Sequence, residues 1–145
     1  MSNWTHVAAI FRIDDIRFAG EKPNFTELFG RELSFYDSDE LWDEANKNPE
    51  SFLPLGSEGS LEMSVWTNPN IHCIAAYTVS IFGDLRDHDS IEEILNWFDE
   101  KCKAIKILRQ AVITVDNERY GSATKTYVLE ENEGDDQKEK EENLD

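Results

Sequence analysis

The run from Ile71 to Phe82 is the longest apolar stretch of the chain. Drawn as a strand it carries apolar residues on both faces: Ile71, Cys73, Ala75, Tyr77, Val79 and Ile81 on one, and Ile74, Ala76 and Phe82 on the other. A strand with one wet face alternates apolar and polar residues, so a segment apolar on both faces belongs in the middle of a sheet. The fold must therefore place this run centrally and account for both of its sides. The segment Gly83-Asp84-Leu85-Arg86-Asp87 follows it directly.

The flanking segments supply the other elements. Thr5 to Ile13 alternates, with Val7, Ala9, Phe11 and Ile13 on one face and His6, Ala8, Ile10 and Arg12 on the other, and predicts a second inner strand. Asn24 with Glu27, and Ser38 ahead of Leu41, Trp42 and Ala45, are helix-start patterns, while Gly30 shortens the first helix and Asn48-Pro49 stops the second. Leu61, Met63 and Val65 alternate with Glu62, Ser64 and Trp66, and the turn Thr67-Asn68-Pro69-Asn70 joins that strand to the central run as a hairpin. Ser90 and Glu93 form a capping box for the best amphipathic pattern of the chain, with Ile91, Ile94, Leu95, Phe98 and Cys102 on one stripe and Trp97 off it. Ile107 to Val115 predicts a further strand, and Thr124 to Leu129 a short edge strand after a turn.

In order, these are strand, helix, strand, strand, helix, strand, strand. The pattern predicts an α+β fold of the ferredoxin-like type: a split pair of strand-helix-strand units forming one antiparallel sheet with helices on one face, plus an extra C-terminal hairpin strand. The first and third strands then lie side by side at the centre, which agrees with the apolar residues on both faces of each. At 145 residues the chain suits a single domain, assigned to 1–129, and 39% hydrophobic residues suit a packed core. Residues 130–145, with nine acidic and two basic residues and no aromatic, are expected to form a disordered acidic tail.

Charge bounds the partners. With 31 acidic and 14 basic residues the formal net charge is −17, a field that repels phosphate backbones and anionic membranes and attracts basic surfaces. No direct nucleic-acid or membrane binding is expected, and a basic protein is the expected partner. The N-terminus has no signal-peptide pattern and no apolar run approaches the ~20 residues of a membrane helix, so a cytoplasmic location is expected, with Cys73 and Cys102 as buried free thiols.

Chemistry-bearing groups are sparse. His6 and His72 fall on neighbouring strands without a carboxylate at ligand spacing, and His88 lies among Asp84, Asp87 and Asp89, which lack the spacing of a calcium loop. That turn reads as a solvated cap complementing a helix dipole, and no metal or cofactor is expected. The loop Pro54 to Ser60 has glycines but no Lys and no following helix, so it is not a phosphate-binding loop, although Ser57 and Gly59 with Arg86 and Arg109 form an alternative small-anion site. No catalytic residue is assigned, since neither Cys nor any Ser sits in a recognisable nucleophile setting. The aromatics point elsewhere. Trp4, Trp66 and Trp97 fall opposite the apolar stripe of their elements, and Phe82 on the second face of the central strand. An antiparallel sheet with helices on one side leaves the other bare, so that face is covered by a second copy, by a partner, or by the segments 14–22 and 49–60 folding over it. Trp4, Trp66, Phe82, Trp97, Asp84, Asp87 and Asp89 are the partner-binding candidates.

Leu53-Pro54-Leu55-Gly56-Ser57-Glu58-Gly59-Ser60-Leu61, Phe82-Gly83-Asp84-Leu85-Arg86-Asp87 and Arg109-Gln110-Ala111-Val112-Ile113-Thr114-Val115 resemble segments of small acidic proteins from bacteriophages and prophages of Gram-positive bacteria. The resemblance implies a setting, the host cytoplasm, and a role of binding and blocking a host enzyme or defence system. Together with the charge, it gives the expectation of a non-enzymatic inhibitor that engages a basic, nucleic-acid-handling or defence protein. Two alternatives stay open: a binding or sequestering protein for nucleotide-like ligands, and a small dimeric ferredoxin-like enzyme with a pocket lined by Tyr77, Phe82 and His72.

Overall fold

Alternation in five segments produces five strands, and their pairing puts the two most apolar of them in the middle. In the computed structural model, which describes residues 3–15, 24–34, 36–67, 75–88, 90–106 and 108–129, the elements are β1 (Trp4–Asp15), α1 (Phe25–Phe29), α2 (Asp39–Lys47), a 3₁₀ turn (Pro49–Ser51), β2 (Leu61–Thr67), β3 (Ala75–Arg86), α3 (Ile91–Ala104), β4 (Leu108–Asn117) and β5 (Gly121–Val128). All strands pair antiparallel in one open sheet of order β2-β3-β1-β4-β5. Among the described residues the fold is thus α+β, a five-stranded antiparallel sheet with three α-helices.

One face of the sheet is the core. Val7, Ala9, Phe11 and Ile13 of β1, Tyr77, Val79, Ile81 and Leu85 of β3, and Ala111, Ile113 and Val115 of β4 are buried. They pack against Phe25 and Phe29 of α1 and Ile94, Phe98 and Cys102 of α3. Phe11 is the hub, with ring centroids 4.7 Å from Phe29 and 5.4 Å from Phe98. A second cluster of Leu33, Ala45 and Phe52 seats α2 outside this layer. The helix starts follow the sequence signals: Asn24 Oδ1, Ser38 Oγ and Ser90 Oγ accept from the amides of Glu27, Leu41 and Glu93 at 3.1, 3.2 and 3.1 Å. Each cap satisfies an amide that the first helical turn leaves free.

Several boundaries move from the sequence expectation. The central strand does not end at Phe82 but continues through Gly83-Asp84-Leu85-Arg86, because β1 from Trp4 onward and the segment before β2 both pair with that end. Ser57 N donates to Arg86 O at 2.8 Å and Arg86 N to Glu58 O at 2.9 Å, so the glycine-containing segment is pinned along β3. Gly59, at φ +77°, allows this approach: a Cβ there would stand 2.1 Å from Asp84 O. β5 begins at Gly121 rather than Thr124 and is eight residues long. Between Arg12 and Ile13 the β1–β4 register slips by one, so that Arg109 and Gln110 are successive exposed residues of β4, the signature of a bulge. The segments 16–23 and 68–74, with Ile71, His72, Cys73 and Ile74, together with Asp89 and 130–145, lie outside the described residues.

Candidate functional site

The face of the sheet opposite the core is uncovered by any described helix. Register fixes its surface. Glu62, Phe82, Ala8, Thr114 and Thr124 form one row across the five strands, Ser64, Ser80, Ile10, Val112 and Thr126 the next, and Trp66, Thr78, Arg12, Gln110 and Val128 a third. On the other side of the first row lie Asp84, His6, Asp116 and Ser122. Ile10 is 48% exposed, Phe82 49%, Trp66 57% and Val128 71%, values that mark apolar side chains left to solvent or to a partner. The segment 49–60, considered as a cover, instead sends Phe52 and Leu53 into the helical side.

At the β3–β1–β4 end, this face forms an open recess of about 490 Å³ lined by His6, Ala8, Ser60, Glu62, Phe82, Asp84, Thr114 and Asp116. His6 Nδ1 lies 2.6 Å from Asp84 Oδ1, and Nε2 lies 3.9 Å from Glu118 Oε2. The hydrogen bond to Asp84 raises the His6 pKa above its ordinary value. Burial opposes that shift, and the charges of Asp84, Glu118 and Asp116 support it. Asp116 Oδ1 also accepts from Ser122 Oγ at 2.5 Å. Three carboxylates, Asp84, Asp116 and Glu118, therefore act on one imidazole, with Glu62 at the rim beside the exposed phenyl ring of Phe82, an arrangement suited to holding cationic groups. Among the described residues no group of three or more His, Cys, Asp or Glu is arranged to hold a metal ion.

The recess rests on a buried polar joint. Thr5 is fully buried on β1; its Oγ1 donates to His88 O at 2.6 Å and accepts from Asn117 Nδ2 at 2.8 Å. Asn117 Oδ1 in turn accepts from the amides of Arg119 and Tyr120, each at 2.9 Å, and so shapes the turn that carries Glu118. Trp4 N donates to Glu118 Oε1 at 3.0 Å.

Trp66, Phe82 and Asp84 share the open face. Trp4 pairs with Arg86 in register at its end. Asp87 sits at φ +56°, donating its amide to Asn3 O at 2.6 Å while Oδ1 accepts from Asn3 N at 3.2 Å and Oδ2 from Ser57 Oγ at 3.1 Å. The donation from the Asn3 amide to its carboxylate first, then that from Ser57 and the charge of Arg86, lower its pKa. Trp97 is on the helical side, its ring edge-on to Phe11 at 6.2 Å and 85°, away from the open face. Ser57 and Gly59 lie beside Arg86, whose guanidinium reaches Glu58 at 2.8 Å, whereas Arg109 is at the far end of the sheet, 3.5 Å from Asp14. Tyr77 and Phe82 are on opposite faces of β3 and do not line a common pocket.

His88 is not solvated as its place in an acidic turn predicts; its side chain is only 11% exposed. It lines a cleft of about 510 Å³ between α2, the 3₁₀ turn and α3, with Phe52, Leu55, Trp97 and, among its carboxylates, Glu50, Glu93 and Glu100. Among the described residues neither His88 Nδ1 nor Trp97 Nε1 has a hydrogen-bond partner. Cys102 is buried, and loss of solvent pushes its thiol up to about 11, with Asp99 adding to the shift and Lys125 opposing it. No helix among the described residues is long and apolar enough to cross a membrane. A comparison with protein-family models, curated proteins and solved structures finds no match to this chain.

Proposed function

We propose that this chain is a non-enzymatic acidic interaction protein that engages a basic, nucleic-acid-handling or defence protein in a host cytoplasm, in the manner of the small phage inhibitors its segments resemble. The observation that carries the reading is the pairing, on one uncovered face, of exposed Ile10, Phe82 and Trp66 with the carboxylates of Glu62, Asp84, Asp116 and Glu118. Apolar area supplies contact, and the acids, within a chain of net charge −17, supply attraction and orientation. We also read the architecture as ferredoxin-like: β1 and β3 lie adjacent at the centre, α1 and α2 connect β1 to β2, α3 connects β3 to β4, and β5 is an added edge strand.

The test is capture from a Gram-positive host lysate on the immobilised chain, with and without residues 130–145. Salt shortens the electrostatic range from about 10 Å at about 0.1 M to about 3 Å at about 1 M. A basic protein retained at the lower salt and released at the higher supports the reading. Retention of no basic protein, or retention indifferent to salt, removes it.

A second reading, binding of a small molecule, is favoured by the α2–α3 cleft, whose lining includes His88 and Trp97, each with a buried ring nitrogen that has no partner among the described residues, because buried polar atoms without partners are uncommon. Glu50, Glu93 and Glu100 select there for a neutral or cationic molecule over a nucleotide phosphate. A thermal-shift series with nucleosides and nucleotides separates the two classes, because a bound ligand stabilises by RT ln(1 + [L]/Kd).

A further inference from the structure

Five apolar residues of the open face are not scattered, although Trp66 stands apart from them on β2 in the third row. Phe82 and Ala8 are neighbours in one row, Ile10 and Val112 in the next, and Val128 stands in the third, so the five form a diagonal ribbon from β3 across β1 and β4 to β5. A recess lies at each end: the acidic one beside Phe82, and one of about 250 Å³ lined by Ile10, Val112 and Val128 among others. The two flanks of the ribbon differ. On one side lie Asp84, Asp116 and Glu118, with His6 among them; on the other lie Ser80, Thr78, Arg12 and Gln110, and Glu62 stands beyond the Phe82 end, in Phe82's own row. Arg12 is within 3.8 Å of Asp14, which also faces Arg109, so that flank carries two guanidinium groups against one carboxylate and is not acidic.

We infer that this ribbon is the docking surface for an amphipathic basic helix of another protein, laid with its apolar stripe on Phe82, Ala8, Ile10, Val112 and Val128 and with Lys or Arg side chains along one edge facing Asp84, Asp116 and Glu118. The inference rests on the reading of the chain as a binder of basic partners, and specifies the surface and the element that fits it. The occupant follows from three features. The residues belong to a sheet face, whose backbone groups are already paired within the sheet, so a helix and not an added strand covers them. The ribbon crosses about three strand spacings and two residue pairs, roughly 20 Å, which is the length of about 13 helical residues. The charge of the flank then chooses the partner. A second copy brings the same acidic row and the same net charge of −17, and residues 130–145 bring nine acidic against two basic residues, so both repel this surface where a basic helix is attracted.

The probe is a synthetic Leu/Lys peptide of about 14 residues with Leu at helical i, i+3, i+4, i+7 spacing, titrated into the full chain and followed by calorimetry and amide NMR. Ile10→Glu and Phe82→Glu each add a negative charge while disrupting the ribbon, and Thr26→Glu adds the same charge on α1. Wild type and Thr26→Glu are expected to bind alike, the two ribbon variants to lose at least about tenfold, as for a central apolar anchor, and shifts to concentrate on β1, β3 and β4. Thermal melts confirm that each variant is folded. If Ile10→Glu and Phe82→Glu bind as tightly as wild type or more tightly, charge alone attracts the peptide and the ribbon is not the surface, while the reading of a basic partner stands. No binding, or binding unmoved by salt, removes both. If the free wild-type chain is dimeric and Ile10→Glu monomeric, the occupant is a second copy, and the inference is overturned.

Discussion

Replacing Thr5 by Val tests the joint that holds the acidic recess together. The substitution conserves shape and removes one hydroxyl from a fully buried position. It leaves Asn117 Nδ2 and His88 O each without the partner they hold at 2.8 and 2.6 Å. An unsatisfied buried polar group costs about 1–3 kcal/mol, and the carbonyl, with a second lone pair, falls at the low end, so a loss of about 2–4 kcal/mol is expected. For a chain of this size about 1 kcal/mol moves the melting temperature by about 2–4 °C, which places Thr5→Val roughly 4–16 °C below wild type. Thr5→Ser keeps the hydroxyl and gives up one methyl, for about 1 kcal/mol. Urea unfolding monitored by tryptophan fluorescence, with unchanged m-values, measures both. If Thr5→Val proves as stable as wild type, or Thr5→Ser is as damaging as Thr5→Val, then packing rather than the hydroxyl secures this joint and the reasoning is wrong.

Other perturbations have comparably direct outcomes. Gly59→Ala meets both a φ of +77° and a Cβ 2.1 Å from Asp84 O, whereas Gly121→Ala meets φ +96° in open space; backbone strain alone is worth about 1–2 kcal/mol, so denaturant midpoints should show Gly59→Ala the more destabilised, and equal losses would refute the close approach. His6 has a folded pKa raised above about 6.5, so its stabilising contribution is fully present below that pH and is lost as pH rises through the folded value. The wild-type advantage over His6→Gln should therefore shrink between pH 5.5 and 8.5, modestly because the ring is exposed and screened; an advantage that grows with pH has the wrong sign. In a Cys73→Ser background the Cys102 thiol, buried and with a pKa of about 11, should stay unreactive to thiol reagents at pH 8 until the chain is unfolded; rapid labelling of the native protein contradicts its burial.

What could be read from residues alone follows the range of the interactions. Asn24, Ser38 and Ser90 announce their helices because a cap is satisfied within three residues, and β1 and β2 announce themselves because alternation is local to the strand. Ile10 and Ala8 were legible as the second face of β1 for the same reason. The continuation of β3 through Gly83 to Arg86 was not, since Gly and Asp disfavour strands locally and it is the distant residues 57–58 and β1 that pair there. The β4 bulge escaped because alternation cannot show a slip, and with it the position of Arg109 beside Asp14. His88 looks like any turn residue in sequence; its burial arises from Thr5 and from the cleft between helices. The diagonal ribbon exists only through the register of four strands, so single-strand patterns show its members and not their line.

The most direct measurement is an amide NMR titration of the full chain with the host protein it captures, or with the Leu/Lys peptide in its place. The open-face account predicts shifts at Ala8, Ile10, Phe82, Val112 and Thr114, with His6 and Asp116 moving more at low salt than at high. Shifts confined to α2 and α3, or to residues 130–145 with the sheet face unmoved, would contradict it.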